Sequence, residues 1–174
     1  MRVETASPVI NAKPTFVKPP QELNDLYQLY SETVYRAALR VTGNPADAED
    51  VLQSVFLRML SRPVTFDPEG STQHYFRRAA TNASIDVLRR KHSLAEIEID
   101  ESRDRSGSAD SAILKARLRE ALAKLPREDA ELFVLCYLEG YSYDELAAQF
   151  QVERGTIGSR LYRIRAVLQK YLSR

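Results

Sequence analysis

The sequence predicts an all-α protein: two small helical domains joined by a flexible acidic linker, the C-terminal one containing a helix-turn-helix. Three observations predict it. Apolar residues recur at three- and four-residue spacing, and no alternating run of strand length occurs. Gly43, Pro63, Pro68, Gly70 and Gly140 mark breaks between the periodic stretches. An acidic, serine-containing stretch at 93–110 divides segments 21–92 and 111–174, each small for an independent domain.

Residues 1–20 hold Pro8, Pro14, Pro19 and Pro20 and read as an extended or disordered tail. Proline lacks an N–H donor and disfavours helix in the residue before it. Leu23, Leu26, Tyr27, Tyr30, Val34, Ala38 and Val41 then mark one amphipathic helix, which Gly43 ends. Asn44 suits an N-cap and Pro45 the first helical position of a second helix reaching about Leu60. Asp47, Glu49 and Asp50 favour the positive end of its dipole. Pro63, Pro68 and Gly70 mark a loop, and Ser71 or Thr72 caps a third helix reaching about Lys91.

The stretch from Ser93 to Asp110 has a net charge of −4 and contains Ser106-Gly107-Ser108, the composition of a solvated linker. Ser111 to Lys124 is the next amphipathic helix, and Pro126 opens another that ends near Gly140. Ser142-Tyr-Asp-Glu145 matches a capping box for a short helix ending near Phe150. The last helix starts near Glu153 and places Ile157, Leu161, Ile164, Leu168 and Tyr171 on one face.

Composition limits the chemistry. The chain has 174 residues, a formal net charge of +1 and one cysteine, so no intrachain disulfide or cysteine zinc cluster can form. His74 and His92 are the only histidines, which disfavours a protein-only transition-metal site. The longest apolar run, Leu132 to Leu138, is far short of the roughly 20 residues of a membrane span. Met1 to Phe16 has no apolar signal-peptide core. The expectation is a cytoplasmic, non-membrane protein whose single thiol, Cys136, packs as a small hydrophobe. No phosphate loop, metal spacing or catalytic triad is present, so no enzyme activity, cofactor or small-molecule substrate is expected.

Function is carried by charge segregation. From Glu153 to Arg174 the net charge is +5, whereas Glu139 to Gln149 has three acids and no base. At about 100° per residue, Thr156, Ser159, Arg160 and Arg163 fall away from the apolar face of the last helix. Such a basic second helix of a helix-turn-helix suits a DNA major groove. The plainer alternative is a solvated basic face.

The third helix has a net charge of +4, with Tyr75 and Phe76 at its start. Aromatics beside cations suit unpaired bases. Phe76 aligns with Ala80, Ala83 and Val87 and reads as core; Tyr75, off that stripe, is the better base contact. On the second helix, Asp47, Asp50, Gln53, Ser54 and Leu57 lie opposite the stripe of Ala48, Val51, Leu52, Val55 and Met59. That face fits a protein docking surface with a mixed polar rim, or a solvated face with one stray leucine.

Three stretches together resemble the extracytoplasmic-function sigma factors of bacterial RNA polymerase. They are Gly43-Asn-Pro-Ala-Asp-Ala-Glu-Asp-Val-Leu-Gln53 with Phe56-Leu57-Arg58, and Tyr75-Phe-Arg-Arg-Ala-Ala-Thr-Asn82 with Asp86-Val-Leu-Arg-Arg90. The third comprises Leu125-Pro126, Glu139-Gly-Tyr-Ser-Tyr-Asp-Glu-Leu-Ala147, Gly155-Thr-Ile-Gly-Ser-Arg-Leu161 and Arg163. In order, they cover nearly everything from about residue 22 to 172.

The resemblance implies that the domain at 21–92 docks on the clamp coiled coil of the largest subunit of core RNA polymerase through Asp47, Asp50, Gln53 and Leu57. It implies minus-ten promoter contacts by the loop from Arg62 to Ser71 and by Tyr75, Arg77, Arg78, Asn82, Asp86 and Arg89. It implies minus-thirty-five contacts in duplex promoter DNA by Arg154, Thr156, Ser159, Arg160 and Arg163 of the domain at 111–174. The linker is expected to thread near the polymerase active-site and RNA-exit channels. It also permits an anti-sigma factor to wedge between or clamp the domains. The family often has Trp where this chain has Tyr75, and a basic residue where it has Gly158. A stand-alone helix-turn-helix regulator is the main rival, followed by a nucleic-acid enzyme using Asp47, Glu49 and Asp50, and by a scaffold.

Overall fold

The computed structural model describes residues 21–61, 71–97 and 110–173. They form α1 (Gln21–Thr42), α2 (Pro45–Ser61), α3 (Ser71–Ile97), α4 (Asp110–Lys124), α5 (Arg127–Tyr137), α6 (Tyr143–Phe150) and α7 (Arg154–Leu172). No strand occurs among the described residues, so the architecture is all-α. The expected tail at 1–20, the loop at 62–70 and residues 98–109 of the expected linker lie outside the described residues.

Local chemistry sets the helix ends. Gly43 has φ +65°, and its N–H reaches the Leu39 carbonyl at 2.8 Å to close α1. That left-handed geometry suits glycine, which has no Cβ to collide. The Asn44 side-chain oxygen accepts from the Asp47 N–H at 3.2 Å and starts α2 one residue later. The third helix runs further than charge alone suggests. Ser93 to Ile97 stays helical, because Leu94, Ala95 and Glu96 are good helix formers and no proline or glycine intervenes.

In the first unit, α1, α2 and α3 bury Val34, Ala37, Ala38, Val51, Phe56, Phe76 and Ala80. The alanines let backbones approach closely, since interaxial distance follows side-chain size at the contact. Tyr30 and Phe76 stack at 4.6 Å and Phe56 and Phe76 at 5.3 Å, so Phe76 is core, as its stripe predicts. In the second unit, α4 to α7 bury Leu122, Leu132, Leu135, Leu146, Ile157, Leu161 and Leu168. Cys136 packs against that cluster, and burial pushes its thiol up while Arg165 partly offsets this.

The two units also pack on each other. Val41 of α1 and Ile85 and Leu88 of α3 belong to the same apolar cluster as Leu122 and Leu135. Arg40 on α1 donates to Glu139, after α5, through Nε at 2.9 Å and through a terminal nitrogen at 2.7 and 2.8 Å.

Candidate nucleic-acid interface

The helix-turn-helix is assembled by backbone and capping bonds. Gly140 (φ +76°) turns the chain after α5 and lets the Tyr141 N–H reach the Leu135 carbonyl at 3.0 Å. Ser142 accepts from the Glu145 N–H at 3.2 Å, and the Glu145 carboxylate accepts from the Ser142 N–H at 2.8 Å. The reciprocal capping box read from sequence is therefore formed. These bonds from Ser142, backbone first and hydroxyl second, hold the Glu145 carboxyl below its ordinary value. The turn into α7 passes through Gln151 at φ 54°, with the Val152 N–H on the Ala147 carbonyl at 3.0 Å.

That frame fixes α7 with Ile157, Leu161, Ile164 and Leu168 inward and Arg154, Thr156, Ser159 and Arg163 outward. Arg154 pairs loosely with Asp144 at 3.2 Å, both exposed. Arg160 departs from the expected outward face. Its side chain is only 20% exposed, and its guanidinium lies 2.9 Å from Asp129 and 3.5 Å from Glu128 on α5. The acids at the start of α5 draw it inward, so it ties α7 to α5. Tyr162, which the polar pattern of α7 does not announce, is 69% exposed beside Arg163. Its position three residues after Ser159 was the available signal.

The residues expected at the minus-ten element lie along α3 but face two ways. Tyr75 is half-buried against the first unit's core, and burial pushes its hydroxyl up while Arg58 partly offsets this. Arg89 is exposed. The Nε of Arg78 donates to Glu131 on α5, and its guanidinium lies 5.1 Å from the centre of the Phe150 ring. The Asn82 amide donates to the same carboxylate oxygen at 3.1 Å. Asp86 accepts from Arg127 at 3.1 Å. Arg77 is half-buried, its Nε without a hydrogen-bond partner. It lies near Tyr141, whose hydroxyl is pushed up to about 12 chiefly by burial, with Arg77 opposing.

On α2, Asp50, Gln53 and Leu57 are exposed, Leu57 by 60%. Leu60 extends that apolar patch one turn on, at 62%; its three-residue spacing from Leu57 was legible but unused. Asp47 does not share this face. It is buried and pairs with Lys91 of α3 at 2.6 Å, because α3 crosses the first turn of α2. No group of three or more metal-binding side chains and no helix long and apolar enough to cross a membrane occurs among the described residues.

Comparison with known proteins agrees with this geometry. Residues 26–93 match the family model of Sigma-70 region 2, and residues 115–168 match that of Sigma-70, region 4. The chain is 34% identical over 159 residues to the ECF RNA polymerase sigma factor SigE of Mycolicibacterium smegmatis, covering 87% of this chain and 62% of SigE. It is 31% identical over 152 residues to SigL of Mycobacterium tuberculosis (strain H37Rv), covering 82% and 84%. It is 27% identical over 163 residues to SigW of Bacillus subtilis, covering 85% and 87%.

Among solved structures, CnrH in complex with the cytosolic domain of CnrY shares the fold with a TM-score of 0.53 and 23% identity, covering 88% of each chain. The sigma factor RpoE bound to the anti-sigma factor NepR from Bartonella quintana gives 0.51 and 20%, covering 88% of this chain and 98% of that one. With both sigma-70 regions in order and relatives above 30% identity along most of their length, the chain belongs to the family of ECF RNA polymerase sigma factors.

Proposed function

We propose that this chain is an alternative sigma factor that docks on core RNA polymerase and directs promoter-specific initiation. It contributes no catalytic group; the polymerase makes the RNA. The carrying observation is the outward row of Arg154, Thr156, Ser159 and Arg163 on the second helix of a capped helix-turn-helix. Short hydroxyls and guanidinia at that spacing can meet base edges and phosphates of a major groove. Asp50, Gln53 and Leu57 on α2, extended by Leu60, supply the surface for the clamp of the largest subunit. The α3 helix supplies Tyr75, Arg77, Arg78, Asn82, Asp86 and Arg89 for the minus-ten element.

Tethering supports this division of labour. Once one domain is docked, the other is delivered at high effective concentration, so neither need bind tightly alone. The chain is also proposed to take an anti-sigma partner, as the sigma factor RpoE does in its complex with NepR, and to act in the cytoplasm where polymerase works. The test is transcription with purified core polymerase on a genomic library. New promoter-specific transcripts on adding the protein are expected. Tight operator binding by the protein alone, with no new transcripts, would favour the stand-alone regulator instead.

A further inference from the structure

Two cavities share walls at Leu118 of α4 and Leu138 just after α5. The first, about 470 Å³, is lined by Arg36 and Arg40 of α1 and by Lys115 and Arg119 of α4. The second, about 350 Å³, lies among α4, α5 and α7, with Phe133, Tyr137, Leu168 and Leu172 in its wall. Both volumes fall in the range of small-molecule sites. One cavity is therefore rimmed by cations, and the one beside it is almost wholly apolar.

Charge around the pair is unbalanced. No carboxylate lines either cavity among the described residues. Acids reach two of the cations from outside: Glu139 holds Arg40, and Glu32 holds Arg36. Lys115 is exposed and has no ion pair among the described residues. Arg119 donates its Nε to the Val41 carbonyl at 3.2 Å, and its terminal nitrogens have no carboxylate among the described residues. Arg165 adds a further cation beside the second cavity.

This combination selects a chemistry. Ammonium and guanidinium groups take a carboxylate or a phosphate through charge-assisted hydrogen bonds. Leucine walls favour methylenes, since each one removed from water adds favourable free energy. A nucleobase against Leu118, Leu138, Leu168 and Leu172 would lose hydrogen bonds that those side chains cannot return. A neutral or cationic chain would leave Lys115 and Arg119 without a counter-charge.

We propose that the chain binds a single-chain anionic amphiphile. Its carboxylate or phosphate head meets Lys115 and Arg119, and its aliphatic chain runs past Leu118 and Leu138 toward Leu168 and Leu172. The head lies between α1 of the first unit and α4 of the second, so the bound molecule touches both. Binding goes beyond the sigma-factor reading and does not depend on it.

The full chain is titrated with decanoate and with decyl phosphate, each below its micelle-forming concentration, by calorimetry and thermal melting. Decanol supplies the chain without the charge, decyltrimethylammonium reverses the charge, and inorganic phosphate supplies a head without the chain. At least one anionic amphiphile is expected to saturate at one site per chain and to raise Tm with concentration. The tighter of the two shows whether the head is a carboxylate or a phosphate. Decanol and decyltrimethylammonium should bind at least about tenfold more weakly, for want of one charge-assisted hydrogen bond. Lys115→Gln should weaken the anionic amphiphile about tenfold and leave decanol unchanged. Leu172→Glu should weaken decanol as well.

Equal affinity for decanol or decyltrimethylammonium, or wild-type affinity in Lys115→Gln, would overturn the site. Inorganic phosphate that binds as tightly as decyl phosphate would also overturn it, since the apolar cavity would then contribute nothing. Anionic lipid vesicles that bind the chain while neither soluble amphiphile does would assign the cations to a membrane surface instead. If Leu172→Glu fails to fold, Lys115→Gln, at an exposed side chain, decides alone.

Discussion

The Arg160 guanidinium sits 2.9 Å from the Asp129 carboxylate and turns a residue of the recognition helix back into its own domain. Arg163, three residues on, stays exposed. The two arginines therefore separate stability from recognition. Arg160→Ala is expected to cost about 1 kcal/mol of stability, the upper range for a partly exposed pair. Promoter preference should change little. Arg163→Ala is expected to leave the melting temperature unchanged and to lower the salt dependence of minus-thirty-five binding by about one unit of slope if it touches phosphate. Denaturant unfolding and salt-titrated DNA binding of both variants check this pair of outcomes.

On α2 the same logic divides Asp47 from Leu57. Leu57 is exposed and belongs to neither buried cluster, so Leu57→Asp should shift stability by no more than about 0.5 kcal/mol. It should nevertheless weaken binding to core polymerase, as should Asp50→Arg. Asp47→Ala should act the other way round. Removing it leaves Lys91 without its 2.6 Å partner and costs stability, with docking affected only through the fold. Co-purification with core polymerase, read beside thermal melting, distinguishes the two classes. Wild-type docking by Leu57→Asp would exclude this face as the polymerase contact.

Phe76 tests what holds the first unit together. Its ring is fully buried and stacks between Tyr30 and Phe56. Phe76→Ala should cost about 3–5 kcal/mol, the transfer term plus the cavity left behind. Because small domains have little stability to spare, the first unit should unfold first in proteolysis while α4 to α7 persist. Protection of both units to the same degree would mean that the shared cluster of Val41, Ile85 and Leu88 makes one cooperative fold of them.

Helix positions were legible because their signals are local. Gly43, Asn44, the Ser142–Glu145 box and the apolar periods each act within four residues, and the structure places them as read, except that Tyr27 and Tyr171 at the margins of their stripes are exposed. Phe76 was assigned to the core from its stripe for the same reason. Long-range charge pairing was not legible. Nothing near Arg160 in sequence announces Asp129, and nothing near Asp47 announces Lys91. A wheel gives the side of a helix a residue occupies, not which acid another helix brings there. The acidic composition of 93–110 marks the linker four to five residues before α3 ends for a related reason: the helix-forming Leu94, Ala95 and Glu96 outweigh the local charge and carry α3 to Ile97.

The capping box gives a pH-dependent handle on the same domain. Ser142→Ala should cost about 1 kcal/mol at neutral pH, the usual loss for an N-cap hydroxyl, because the Glu145 N–H loses its acceptor. Glu145 adds a titrating part. Its folded value lies below the ordinary 4.5, so the unfolded chain takes up the proton first as pH falls. The contribution of the ionised carboxylate is therefore fully present above 4.5 and is lost as pH drops through the lowered folded value. Glu145→Gln lacks that titration while keeping an oxygen that can accept from the Ser142 N–H. Wild type should thus exceed Glu145→Gln in stability at neutral pH, and the difference should close in acid below 4.5. Denaturant unfolding of both proteins across that range checks it. A difference that stays constant with pH would mean that the carboxylate charge adds nothing to the bonds at Ser142, and that the box holds α6 through hydrogen-bond geometry alone.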